Sequence, residues 1–266
     1  MNPYESTFNR LRANHQIAFV PFAVAGDPNS KTSEAIFKTY IDNGADILEI
    51  GYPFSDPVAD GPINQRAAIR AINCGLEHDS FFRLIAKIRK MTDIPMGLLL
   101  YANSALAIGY ASFCKRAAEA GLDSLLIADM PPEDAGEMLD ALKTNNLRSV
   151  FIVSELTPPE RVKSICSAIN GFVYVVSRTG TTGTQTAVNS TVGDTLKRLK
   201  KITSKPLVVG FGLSKPEHIA TIKNCGADGA IVGSALVNII EKNLSNKKTM
   251  LSLLGKAVKG YKRATE

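Results

Sequence analysis

In Asp46-Ile47-Leu48-Glu49-Ile50-Gly51 the five residues after Asp46 are apolar at consecutive positions except for one carboxylate, Glu49. A strand that faced water on one side would alternate, so this run predicts a strand buried on both faces. Such strands occur in parallel sheets whose faces are covered by helices. Counting the run from Ile47 to Gly51, the chain has eight of this kind. The others are Ala18 to Val24, Met96 to Tyr101, Ser124 to Ala128, Val150 to Ser154, Phe172 to Ser177, Leu207 to Gly210 and Gly229 to Gly233. Between them lie segments of helical periodicity, among them Ser33 to Asn43, Ser112 to Ala120 and Pro216 to Asn224. Eight strand-helix units predict an α/β fold, a single-domain (β/α)₈ TIM barrel over residues 1–266, with a doubly wound open sheet as the competing arrangement. An extra helix is expected ahead of the first strand.

Smaller signals agree with that reading. Gly44-Ala45-Asp46, Gly121-Leu122-Asp123 and Gly226-Ala227-Asp228 each separate a helical stretch from a strand. A glycine there can take the left-handed conformation that ends a helix. Pro95 and Pro206 fall where strands begin, a position that needs no ladder donor. The chain has 266 residues, close to the roughly 250 of one barrel, so no second domain is required.

The net charge of +6 is concentrated at one end. From Glu241 to Glu266 there are seven Lys or Arg against two Glu, which leaves the rest of the chain near neutral. Leu251, Leu254, Val258 and Tyr261 recur there at helical spacing, predicting an amphipathic terminal helix with a solvated basic face. No aromatic stacking pattern accompanies the charge, so nucleic acid is not expected as a partner. No apolar run approaches the about 20 residues of a membrane helix. The opening Met1-Asn2-Pro3-Tyr4-Glu5 lacks the basic-then-apolar pattern of a secretory signal. Cys74, Cys114, Cys166 and Cys225 are dozens of residues apart, which predicts reduced, buried thiols and a cytoplasmic location.

Barrel chemistry sits at the C-terminal ends of the strands. Glu49 lies inside a doubly buried run, where desolvation would raise its pKa toward a value suited to proton transfer. Its structural alternative is a carboxylate bonded to a neighbouring lysine or backbone group. The following loop, Tyr52 to Pro62, is stiffened by Pro53, Pro57 and Pro62 and adds Asp56 and Asp60. Each could be a turn former or helix cap; beside Glu49, one could share acid and base roles with it. Glycines recur near the later strand ends, in Arg178-Thr179-Gly180-Thr181-Thr182-Gly183, Gly210-Phe211-Gly212 and Gly233-Ser234. Glycine and a helix N-terminus after strands seven and eight form the recurrent phosphate site of barrels. His15, His78 and His218 do not cluster, so no metal site is expected. No strand ends in lysine, which argues against a Schiff base. Acid–base chemistry on a phosphate ester remains.

Leu48-Glu49-Ile50-Gly51-Tyr52-Pro53-Phe54-Ser55-Asp56-Pro57-Val58-Ala59-Asp60-Gly61-Pro62 closely resembles the tryptophan synthase alpha subunit family. The likeness extends to Ala25-Gly26-Asp27-Pro28, Tyr101-Ala102-Asn103 and Ser177 to Gly183. It implies a lyase that cleaves indole-3-glycerol phosphate to indole and glyceraldehyde 3-phosphate by a retro-aldol reaction. By that resemblance Glu49 is the general acid–base and Asp60 accepts the indole N–H. Phe22, Leu99, Tyr101, Leu126, Ala128, Ile152 and Tyr174 would form the indole pocket, with Thr182 on a lid. Gly183, Phe211, Gly212, Gly233 and Ser234 would hold phosphate.

The resemblance also implies a beta-subunit partner in an alpha2beta2 heterotetramer, with Asp56, Asn103 and Pro131 near the interface. Pyridoxal phosphate would belong to that partner, and this chain would carry no cofactor. Two positions depart from the family's usual pattern: Asn64 replaces an aliphatic residue beside the substrate, and Ser104 replaces a proline, which would loosen a partner-facing loop. Asn64 motivates an alternative, a non-catalytic subunit that only activates its partner. Another phosphosugar barrel is the third reading, opposed by the strand-two motif.

Overall fold

The computed structural model describes residues 2–176, 185–210 and 212–266. Helix α1 (Pro3–Ala13) precedes β1 (Ala18–Val24), which leads into α2 (Ser30–Asp42). Strand β2 (Leu48–Gly51) is followed by α3 (Pro62–Asn73) and α4 (His78–Arg89). Then β3 (Met96–Leu100) is followed by α5 (Ala102–Leu106) and α6 (Tyr110–Glu119). Strand β4 (Ser124–Ile127) runs through a 3₁₀ turn, Pro132–Asp134, into α7 (Gly136–Thr144). The remaining pairs are β5 (Arg148–Ser154) with α8 (Pro159–Ala168), and β6 (Val173–Val176) with α9 (Gln185–Lys200). They continue with β7 (Leu207–Val209) and α10 (Pro216–Asn224), then β8 (Gly229–Val232) and α11 (Ser234–Lys242). Helix α12 (Lys247–Thr265) follows.

The eight strands pair in parallel and in chain order, and β8 closes on β1 with Ala18 opposite Gly229. The sheet is therefore a closed barrel and not the open alternative. The runs read as continuously apolar because each strand serves two cores. Phe19, Ala23, Ile50, Leu98 and Val153 pack outward against the helices. Val20, Phe22, Ile47, Leu126, Val150 and Val208 fill the interior.

One end of the barrel is plugged. Helix α1 inserts Tyr4, Phe8 and Leu11 into the interior cluster, and the Tyr4 ring lies 5.6 Å from that of Phe172. Tyr4 Oη and Ser124 Oγ share a hydrogen bond of 2.6 Å. Burying side chains of this size contributes about 1.5–3 kcal/mol each, so the plug holds the N-terminal end of the barrel dry.

The recurrent Gly-x-Asp triplets have a common structural role. Gly44, Gly121 and Gly226 have φ of +102°, +94° and +89°, ending the preceding helices. The aspartate two residues on reaches back to the preceding strand. Asp46 accepts from Phe19 N at 3.0 Å, Asp123 from Met96 N at 2.8 Å and Asp228 from Leu207 N at 2.9 Å. Ahead of β6 the same tie is made by Asn170, which accepts from Ser149 N at 2.6 Å. Every even-numbered strand is thus pinned to its predecessor by one side chain.

Two expectations need correction. The basic face of α12 is not wholly solvated: Lys262 is 16% exposed and pairs with buried Asp46 at 2.7 Å. Its apolar stripe starts at Met250, while Leu251 is only partly buried. The cysteines are free thiols, but not all buried. Cys114 and Cys166 are; Cys225 is half-buried, and Cys74 is exposed because it caps the C-terminus of α3.

Candidate active site

Strand β2 places Glu49 on the inner face of the barrel, in register with Phe22 of β1 and Gly97 of β3. Gly97 is required there: a Cβ would come within 2.9 Å of Ser124 Oγ and 3.1 Å of Tyr4 Oη. Below Glu49, a cavity of about 10 Å³ is lined by Tyr4, Ile47, Gly97, Ser124, Leu126 and Phe172. That is room for one water at most. Glu49 is 6% exposed and makes no hydrogen bond or ion pair with any described residue. The structural alternative, a carboxylate tied to lysine or backbone, is not what this side chain does. Burial, reinforced by the charge of Asp60, pushes its pKa up to about 8.

Asp60 ends the loop that follows β2. The loop is held by Tyr101, just beyond β3, whose ring stacks on Phe54 at 5.3 Å. Tyr101 Oη accepts from Ala59 N at 3.1 Å and donates to Asp60 Oδ2 at 2.8 Å. Asn64 Nδ2 donates to Asp60 Oδ1 at 3.3 Å. The carboxylate therefore caps nothing; Gly61 is the N-cap of α3 and supplies no side chain. Burial raises the Asp60 pKa from its ordinary value, and the two side-chain donors oppose that rise. Asp56 is exposed.

Phe22, Leu126 and Tyr174 are buried in the interior cluster, and Leu99, Ala128 and Ile152 border it. Two close approaches shape this space. A Cβ on Gly51 would sit 2.8 Å from the Phe22 ring, and one on Gly210 would sit 2.3 Å from the Tyr174 ring. The charges of Glu49 and Asp60 both act on Tyr174, whose hydroxyl is raised well above its ordinary pKa mainly by burial. The structure thus brings Glu49, Asp60 and this apolar wall to one end of the barrel.

Gly212, with φ of +73°, follows β7. Gly233 is the N-cap of α11 and Ser234 its first residue. Among the described residues no side chain caps that helix, which leaves its leading N–H groups available to an anion. Thr182, Gly183 and Phe211 lie outside the described residues. Asp56, Asn103 and Pro131 occupy the segments after β2, β3 and β4, on the same rim. The second and third of these segments are tied by Ala102 N, which donates to Asp129 Oδ1 at 2.8 Å. Ser104 N–H bonds to Tyr101 O at 3.0 Å, a bond proline would lack, while its buried hydroxyl has no partner among the described residues. Among the described residues no group of three or more His, Cys, Asp or Glu could hold a metal ion.

Sequence reasoning passed over two features. Tyr4 and Ser124, far apart in the chain, meet under Glu49. Glu241 of α11 bridges Arg66 at 2.7 Å and Arg70 at 3.0 Å, both on α3, and Arg70 also pairs with Asp27 at 2.7 Å. These partners are more than 40 residues apart in sequence, and only the spacing of Arg66 and Arg70 by one helical turn hints at a shared target.

Residues 8–266 match the family model described as tryptophan synthase alpha chain. The tryptophan synthase alpha chain of Methanothermobacter thermautotrophicus is 46% identical over 88% of this chain and 87% of its own length. The tryptophan synthase subunit alpha of Legionella pneumophila superposes with a TM-score of 0.92 at 33% identity, over 100% of this chain and 98% of that one. A chain of the tryptophan synthase complex from Pyrococcus furiosus gives 0.84 at 32% identity, over 92% and 98%. With a closed barrel, a buried unpaired glutamate on β2 and these matches over nearly its whole length, the chain belongs to the tryptophan synthase alpha chain family.

Proposed function

We propose that this chain is the lyase that cleaves indole-3-glycerol phosphate to indole and glyceraldehyde 3-phosphate, with Glu49 as general acid–base. The observation that carries the reading is a buried carboxyl with no partner among the described residues and a pKa pushed up to about 8, which holds its proton at neutral pH. Glu49 gives that proton to the ring carbon bearing the side chain, and positive charge develops on the indole nitrogen. Asp60, held by Tyr101 and Asn64, accepts the indole N–H and stabilises that charge. Glu49, now a carboxylate, takes the proton of the adjacent glycerol hydroxyl, whose oxygen becomes the aldehyde carbonyl. The bond between ring and side chain breaks, and its electron pair returns to the ring.

Phe22, Leu99, Tyr101, Leu126, Ala128, Ile152 and Tyr174 wall the indole, and Thr182 is assigned to the same substrate. Gly212, Gly233 and Ser234, with Gly183 and Phe211, bind the phosphate. Asp56, Asn103 and Pro131 face a beta subunit in an alpha2beta2 assembly, and pyridoxal phosphate belongs to that partner. A cytoplasmic location is part of the same reading; no helix among the described residues is long and apolar enough to cross a membrane.

The test is indole release from indole-3-glycerol phosphate by the purified chain, with and without a beta subunit. Release that the partner stimulates and Glu49→Gln abolishes supports the assignment. No release, with the partner's own turnover still stimulated, identifies an activating subunit instead.

A further inference from the structure

Asn64 stands on the first turn of α3, and its amide is used at one end only. Nδ2 donates to Asp60 Oδ1 at 3.3 Å, while Oδ1 is buried with no partner among the described residues. A buried acceptor without a partner is destabilising, and an aliphatic side chain at the same place would avoid it. The orphaned carbonyl is therefore a standing cost of having an amide here, and the bond to Asp60 is what the amide provides. Tyr101 holds the other oxygen of the same carboxylate at 2.8 Å, from a different element. Two donors from α3 and from the end of β3 thus fix both the position and the rotation of the carboxylate plane.

We infer that Asn64 is a positioning residue that orients Asp60 for the reaction, at the expense of local stability. The inference rests on the reading of Asp60 as the acceptor of the indole N–H. The charge of Asp60 acts in turn on the Glu49 carboxyl of β2 and on the Tyr174 hydroxyl of β6. The donor on Oδ1, like the one on Oδ2, opposes the rise that burial imposes on the Asp60 pKa. An acceptor that must meet positive charge developing in the transition state loses more in kcat than in substrate binding when it is left free to rotate.

The experiment compares indole release and thermal unfolding in the parent, Asn64→Leu and Asn64→Gln, and repeats Asn64→Leu in an Asp60→Asn background. A charge-assisted hydrogen bond sets the scale, so kcat of Asn64→Leu is expected to fall about tenfold with KM within about twofold. Its Tm is expected to rise by about 2–4 °C as the orphaned carbonyl disappears. Asn64→Gln, which keeps an amide donor, recovers part of kcat. In the Asp60→Asn background the leucine changes kcat by less than about twofold, because the partner it acts through is gone. Unchanged kcat in Asn64→Leu overturns the inference while leaving the lyase assignment intact. So does a parallel fall in kcat and Tm, which marks Asn64 as packing alone. No indole release from the parent overturns the lyase assignment and the inference with it.

Discussion

Glu49 is costly to ionise where it lies. Its pKa of about 8 in the folded chain stands against an ordinary value of 4.5. A group whose folded pKa is raised loses stability as pH climbs from the unfolded value toward the folded one. Between pH 5 and pH 8 the stability of Glu49→Gln relative to the parent should therefore improve by about 3 kcal/mol, measured by denaturant unfolding at each pH. The same mutant should lose on the order of 10²–10⁴-fold in kcat, the range for a removed general acid. Because the neutral carboxyl is the reactive form, kcat/KM of the parent should hold through neutrality and fall about tenfold per pH unit above about 8. In Glu49→Gln that limb disappears with the activity. The position of Glu49 was legible from sequence as a carboxylate in a doubly apolar run. The orphaned Asn64 carbonyl was not, since only packing decides which end of an amide finds a partner.

Among the elements, each strand end sets something for its neighbour. Gly210, just past β7, leaves room for the Tyr174 ring of β6. Gly210→Ala would drive a methyl into that ring, so it should lower kcat/KM by at least about tenfold and cost about 1–3 kcal/mol by thermal melting. Helices α3 and α11 carry opposite ends of the site, Asp60 leading into one and Ser234 opening the other. They are clamped by Glu241 between Arg66 and Arg70, which hold its carboxyl down to about 2. Glu241→Gln should cost about 1–2 kcal/mol in denaturant unfolding at neutral pH, as a partly exposed network does. A depressed carboxyl contributes above its ordinary value of 4.5 and loses that contribution as pH falls toward 2, so the gap between mutant and parent should close over that window. The strands themselves were readable: β1 and α10 keep the bounds their sequence patterns predict, and the Gly-x-Asp triplets mark three of the four even strands. The fourth escaped because Asn170 makes the same tie without the aspartate, and the α3–α11 clamp escaped because its partners are far apart in the chain.

The whole molecule divides its two ends between stability and chemistry. Tyr4, Phe8 and Phe172 seal the N-terminal end, and the C-terminal end gathers Glu49, Asp60, the open N-terminus of α11 and a rim bearing exposed Val58 and Leu106. If that rim receives a beta subunit, Leu106→Asp should abolish stimulation of indole release by the partner. Release by the isolated chain should stay within about twofold, since this side chain is 56% exposed and surface changes rarely disturb a fold. The dry lower end is what makes the upper end chemical, because it denies Glu49 the water that would ionise it. Glu49 is thus a neutral acid at physiological pH, which a titration of the carboxyl by ¹³C NMR, assigned by its absence in Glu49→Gln, would read out. A midpoint near pH 8 is expected in the folded chain; a midpoint near the ordinary 4.5 would mean that Glu49 is ionised at neutral pH and is no reservoir of the proton.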